Sequence, residues 1–172
     1  MRELDGFPVG VDHSFTDLSK YSRDYSSVIG VDPLVVFFPQ TIDDVVLLMR
    51  FFNRHGVSAV TRGAGSGTTG GAVPFGDCLL DMSRMNATPI VDKINGTVDV
   101  ESGVILKDLH DVVAKNGLFY PPDPASLNQC TIGGNIAENA GGPRGLKYGV
   151  TGDYVIGLRG VWANGQQFSL GG

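Results

Sequence analysis

Only two cysteines occur in the 172-residue sequence, Cys78 and Cys130, and their spacing fits no metal-ligand pattern. They are expected as free thiols of a reducing compartment, and no metal site is expected. Positive charge is also scarce: 13 Lys and Arg stand against 18 Asp and Glu, a formal net charge of -5. A nucleic-acid partner would need clustered cations, so that class of function is excluded. No apolar run approaches the ~20 residues of a membrane-spanning helix. The opening Met1-Arg2-Glu3-Leu4-Asp5-Gly6 lacks the apolar stretch of a secretory signal, which makes the cytoplasm the expected location. Asn86-Ala87-Thr88 and Asn95-Gly96-Thr97 match the glycosylation sequon, but without a signal the matches are fortuitous.

Glycine is what the sequence has in plenty, at 25 residues. The glycines are bunched, between Gly63 and Gly71 and again between Gly133 and Gly149. Ordering glycine costs conformational entropy, so a cluster marks backbone that bends sharply or approaches something closely. With 42% hydrophobic and 18% charged residues, the rest is ordinary globular composition, and the length suits one domain or two small lobes sharing a core.

Residues 1–32 are weakly patterned and read as an N-terminal extension. Val35 to Phe38 is expected as a short buried strand stopped by Pro39. Thr41-Ile42-Asp43-Asp44 opens a helix, with Thr41 placed to cap the first free amides and Asp44 where a capping-box acid reaches back. Ile42, Val45, Met49 and Phe52 recur at helical spacing, and Gly56 is a natural stop. A second strand, Val57 to Thr61, runs into the first glycine cluster, and Cys78 to Met82 reads as a third. Val98 to Glu101 alternates apolar with acidic residues, as a half-exposed strand does. Leu106 to Asn116 reads as an amphipathic helix, with Leu109, Val112 and Val113 on one face and Gly117 at its end. Residues 118–150 carry no regular pattern, and a loop that long in a compact domain is functional or disordered. Tyr154 to Ala163 and Gln166 to Leu170 flank Asn164-Gly165, a strong hairpin signal. The sequence stops right after that hairpin strand, so an incomplete domain is expected.

Gly65-Ser66-Gly67-Thr68-Thr69-Gly70 matches the dinucleotide fingerprint G-x-G-x-x-G and follows a predicted strand. The Rossmann version needs a helix at the third glycine. Here Gly71 follows at once, Pro74 pushes Val73 out of helical space, and Cys78 already opens a strand. No Lys follows the glycines, which excludes a Walker loop. What remains is Arg62 followed by a turn of small residues, whose consecutive amides can converge on an anion. The second cluster, Cys130 to Gly142, is almost wholly small residues and amide side chains. It is read as presenting N–H and C=O groups to a flat polar ring rather than packing a core.

Four motifs occur in order: Arg62 to Gly71, Phe119-Tyr120-Pro121-Pro122-Asp123-Pro124, Cys130 to Gly142, and Pro143-Arg144-Gly145-Leu146-Lys147-Tyr148-Gly149-Val150. Together they resemble the FAD-binding domain of the vanillyl-alcohol oxidase/p-cresol methylhydroxylase superfamily, nearest to the D-subunit of glycolate oxidase and to D-lactate dehydrogenases. The resemblance implies an α/β domain of two lobes with FAD between them. The first lobe (33–93) would be a small parallel strand–helix–strand unit and the second (94–172) an incomplete antiparallel-sheet lobe. Gly63, Ala64, Gly65, Ser66, Gly67, Thr68 and Gly71 would wrap the pyrophosphate with Arg62, and Pro39 would lie nearby. Ser126, Thr131, Gly134, Asn135, Ala137, Asn139 and Gly141 would line the ribityl and isoalloxazine side, and Pro122 would be a further cofactor contact. Tyr148, Gly149 and Val155 would complete the contacts to flavin or adenine.

Relatives that bind flavin covalently use a His where this sequence has Ser66, so non-covalent FAD is expected. The implied reaction is oxidation of a small 2-hydroxy acid to the 2-oxo acid by hydride transfer to flavin. Its catalytic residues are expected in a C-terminal part that is not present here, so the 172 residues alone are expected to be incompetent for catalysis. His13, His55 and His110 are candidate bases by type only, and Asp81 and Arg84 are left out of the site. An alcohol- or amine-oxidising relative on the same domain, or a non-redox nucleotide-binding module, are the rival readings. Implied partners are other oxidase subunits, one carrying iron–sulfur clusters, which would allow attachment to the inner face of a membrane through them.

Overall fold

The computed structural model describes residues 6–8 and 10–171. The first lobe is built on a four-stranded sheet of β1 (His13–Ser14), β2 (Val35–Phe37), β3 (Ala59–Arg62) and β4 (Cys78–Asp81), ordered β1-β2-β4-β3. β4 runs parallel to both β2 and β3, and β1 closes the edge antiparallel to β2. β2 and β4 are buried on both faces, which is why they read as continuous apolar runs without alternation.

α1 (Ile42–His55) is the crossover from β2 to β3, and its ends follow the sequence signals. Thr41 accepts from the Asp44 amide while Asp44 accepts from the Thr41 amide, and Gly56 closes the helix at φ +61. The buried stripe differs from the spacing reading. Leu48, Phe51 and Phe52 enter the core against Val35, Phe37 and Leu80, while Ile42 and Val45 stay half-buried.

β5 (Ile90–Asp92) and β6 (Thr97–Asp99) form a hairpin, and α2 (Leu106–Lys115) follows with Leu106, Leu109 and Val113 inward. A second apolar cluster gathers there from Val104, Leu106, Leu109, Val113, Cys130 and Ile132. The patternless stretch 118–150 is more ordered than its sequence suggests. It contains α3 (Ile132–Glu138) and the single turn α4 (Gly145–Tyr148). The Cys130 to Gly142 segment also supplies core side chains, so the view that it packs no core is corrected. Cys130 and Ile132 are buried in the second cluster, and α3 is too short and glycine-rich to show helical periodicity.

β7 (Gly157–Val161) and β8 (Gln167–Gly171) pair antiparallel and lie against α1. The Asn164-Gly165 signal places the hairpin, but the turn is a three-residue loop. The Trp162 amide donates to Gln166 O and the Gly165 amide to Trp162 O, both at 2.8 Å, and only Gly165 takes a positive φ, +80. The antiparallel part is thus two separate hairpins among the described residues.

The lobes meet at Gly103, whose amide donates to the Met85 carbonyl at 2.8 Å. A Cβ there would collide with the carbonyl oxygens of Met82 and Met85, which are backbone and cannot swing aside. Gly103→Ala is therefore expected to cost about 1–3 kcal/mol in urea denaturation. Gly145→Ala, with open space around its Cβ, should be neutral or slightly stabilising.

Candidate functional site

β3 delivers Arg62 and the glycine-rich loop to the top of the first sheet. Arg62 itself turns inward. Its guanidinium is buried, donates to Ala72 O at 3.1 Å and reaches Tyr21 O at 3.5 Å, and fills the space a side chain at Gly65 would need. Burial lowers its pKa, opposed by the charges of Asp81 and Asp24. Gly65 takes φ +66 over this buried cation.

With its own cation used underneath, the loop faces outward through its backbone. Among the described residues, no amide from residue 63 to 69 donates to a protein acceptor. Such a run of free N–H groups in a tight turn forms an anion-binding concavity. The loop is held from below by Asp24, which accepts from the Gly70 amide at 3.0 Å and from the Ser26 amide at 2.7 Å. For the Asp24 pKa, desolvation pushes upward, but these bonds and the Arg62 charge prevail and hold it below the usual carboxylate range.

The facing wall comes from the second cluster. Thr131 caps α3 by accepting from the Gly134 amide at 3.3 Å, and its hydroxyl stands where a Cβ on Gly63 would be. Glycine at 63 thus lets the two clusters touch at the base of a cleft. Asn135 is buried in this wall, donating to Cys130 Sγ at 3.1 Å and Thr131 O at 3.2 Å. Its Oδ1 is buried without a protein partner, so an acceptor remains for a bound donor.

The cleft between the walls measures about 890 Å³, inside the ~300–1,000 Å³ range of ligand sites. Of the expected site residues, Gly63, Ala64, Gly65, Ser66, Gly67, Thr68, Gly71, Ser126, Thr131, Gly134, Asn135 and Ala137 line it. Arg62 lies beneath it, and Pro39 and Pro122 are buried away from it. The Pro122 carbonyl is engaged instead by His110 Nε2 at 2.9 Å. Asn139, Gly141, Tyr148, Gly149 and Val155 form a second group around α4. There Asn139 Oδ1 accepts from the Gly152 amide at 2.8 Å, Gly141 O accepts from the Asp123 amide, and Tyr148 O accepts from the Tyr154 hydroxyl. Gly149 at φ +85 leaves room for the Asp153 carboxylate, which caps the turn leading to Val155.

Sequence reasoning missed Asp24 and Tyr25, which line the cleft from the supposed extension, and Asn128, Gln129 and Glu138 on the far wall. The one local signal was Asp24-Tyr25-Ser26, where an Asx-type turn forms. Among the described residues no cationic side chain lines the cleft, while Asp24 and Glu138 do. His13, His55 and His110 all lie off it, and Arg84 pairs with Asp12 on the surface.

The depressed Asp24 pKa sets a pH dependence. Its contribution is fully present above the ordinary value of 3.8 and is lost as pH falls through the lower folded value. Asp24→Asn should lower stability at pH 6 by no more than about 1 kcal/mol, the carboxylate being half-open to solvent. The gap from wild type should vanish in melts taken well below pH 4.

The family described as FAD binding domain matches residues 33–171. Glycolate oxidase subunit GlcD of Bacillus subtilis is 43% identical over 166 residues, covering 96% of this chain and 35% of that protein. D-lactate dehydrogenase of Anaerostipes hadrus is 34% identical over 171 residues, covering 99% of this chain and 34% of that protein. The chain therefore spans about a third of the length of these curated relatives. Among solved structures, 6-hydroxy-D-nicotine oxidase from Arthrobacter nicotinovorans shares the fold with a TM-score of 0.82 at 22% identity, over 98% of this chain and 38% of that one. The two-lobed α/β architecture, the amide-lined cleft and these matches agree: the chain belongs to the FAD-binding domain family of the vanillyl-alcohol oxidase/p-cresol methylhydroxylase superfamily, and its cofactor is FAD.

Proposed function

We propose that this chain is the flavin-holding part of an oxidoreductase that converts a small 2-hydroxy acid, of the glycolate or D-lactate type, to the 2-oxo acid. The names of the relatives support the substrate class. The observation that carries the cofactor role is the cleft, where free loop amides face a buried Asn135 acceptor. FAD has both an anionic pyrophosphate and polar hydrogen donors, so both walls find a partner in it. When bound, FAD supplies the hydride acceptor for the substrate α-carbon.

The chain's own share is binding and orientation. The amides of residues 63–69 hold the pyrophosphate without a cation, helped by the hydroxyls of Ser66 and Thr68. Ser126, Thr131 and Asn135 receive the polar edge of the cofactor, and Gly134 and Ala137 are small enough to let it approach. Asn139, Gly141, Tyr148, Gly149 and Val155 are proposed as a further contact face around α4. Ser66 offers no attachment point of the histidine type, which favours non-covalent FAD. Since no histidine lines the cleft, the general base is proposed to lie in the part of the longer relatives that this chain does not span. The description of the Bacillus subtilis relative as a subunit supports partner subunits for this chain; an iron–sulfur subunit that brings it to a membrane face is proposed from the family resemblance alone.

Titration with FAD, followed by flavin fluorescence with ATP and NAD as competitors, tests this reading. Flavin-selective binding is expected, and equal displacement by ATP or NAD would replace it with a general nucleotide-binding module. Gly65→Ala, strained at φ +66 and aimed at the Arg62 guanidinium, should weaken FAD at least about tenfold.

A further inference from the structure

The segment before residue 33 lies outside the matched family region, yet it is built into the cleft. Three contacts fix it to the glycine-rich loop. The Tyr25 amide donates to Gly67 O at 3.0 Å, the Gly70 amide donates to Asp24 Oδ2 at 3.0 Å, and Val28 packs where Gly70 lacks a side chain. These anchors bracket Thr68 and Thr69, so the segment moves with the first lobe. From it, the Tyr25 hydroxyl reaches across to Gln129 on the second lobe and donates to Oε1 at 3.3 Å. A second thread crosses nearby, where Thr69 Oγ1 donates to Glu138 Oε1 at 2.8 Å.

All four side chains line the cleft and all four are exposed, so both threads run along its rim. Tyr25 in particular is 68% exposed, and burial does not hold its ring in place. The base of the cleft is built differently. There Gly63 meets the Thr131 hydroxyl with no room for a Cβ. A single exposed hydrogen bond is easily exchanged for water, whereas close-packed backbone is not.

We propose that Tyr25–Gln129 and Thr69–Glu138 are paired latches across the rim of the cleft that retain FAD, with Asp24 as the residue positioning the Tyr25 latch. The inference rests on the FAD-binding reading above. The cofactor enters and leaves only when both latches part, so each slows its release without supplying its main contacts. The N-terminal segment is thereby a working part of the cofactor site.

The test is the rate of FAD release from the loaded protein, read by recovery of free-flavin fluorescence on dilution, with apo-protein melting temperature as the folding control. Tyr25→Phe keeps the ring and removes only the hydroxyl, and should speed release about two- to fivefold. Gln129→Ala should match it, and the double variant should be no faster than either single one. Thr69→Val should have an effect of similar size, additive with Tyr25→Phe. Apo melting temperatures should not change. Unchanged release from both Tyr25→Phe and Thr69→Val overturns the latches while leaving the FAD reading intact. Failure of the unaltered protein to bind FAD overturns that reading and the latches with it.

Discussion

A buried guanidinium organises the cofactor-binding half of this molecule. Arg62 ends β3 and turns under the loop that follows, where its donors reach the carbonyls of Ala72 and Tyr21. Asp81 in β4 and Asp24 in the N-terminal segment supply compensating charge, and the Tyr21 hydroxyl donates to Asp81 at 3.2 Å. Taking a cation out of water is tolerable only with such partners, so the arrangement ties three distant segments into one knot. Glycine at 65 follows directly from it, since the space above that Cα is occupied by the cation. The loop keeps its shape because of what lies beneath it, which leaves its amides free for a ligand above.

That division leaves a cleft lined, among the described residues, by backbone amides and carboxylates and by no cation. Fixed backbone dipoles do not need to reorganise when charge arrives, and a series of them substitutes for a side-chain charge. Asp24 and Glu138, which line the cleft, add negative potential there.

The two lobes are joined unequally. Gly63 against Thr131 at the base of the cleft, and Gly103 against Met82 and Met85 elsewhere, bring the lobes so close that a Cβ would not fit. At the rim, long polar side chains meet through single exposed bonds. The two apolar cores sit apart, one in each lobe.

The sequence by itself determined the local elements whose causes are local. The capping box at Thr41 and Asp44, the left-handed stop at Gly56 and the buried runs of β2 and β4 depend on neighbours a few residues away. The glycine clusters also pointed to the two segments that line the cleft, because so much costly backbone freedom needs a reason. Tertiary structure decided the rest. Whether Arg62 faces the ligand or the core depends on Tyr21, Asp24 and Asp81, none of them within hydrogen-bonding reach along the chain. Cys130 and Ile132 look like part of a polar stretch until α2 arrives to bury them. Tyr25 and Gln129 stand 104 positions apart, and only folding brings them to opposite sides of one cleft. Local patterns report which backbone states are cheap, while side-chain direction and long-range contact are set by the packing of the whole chain.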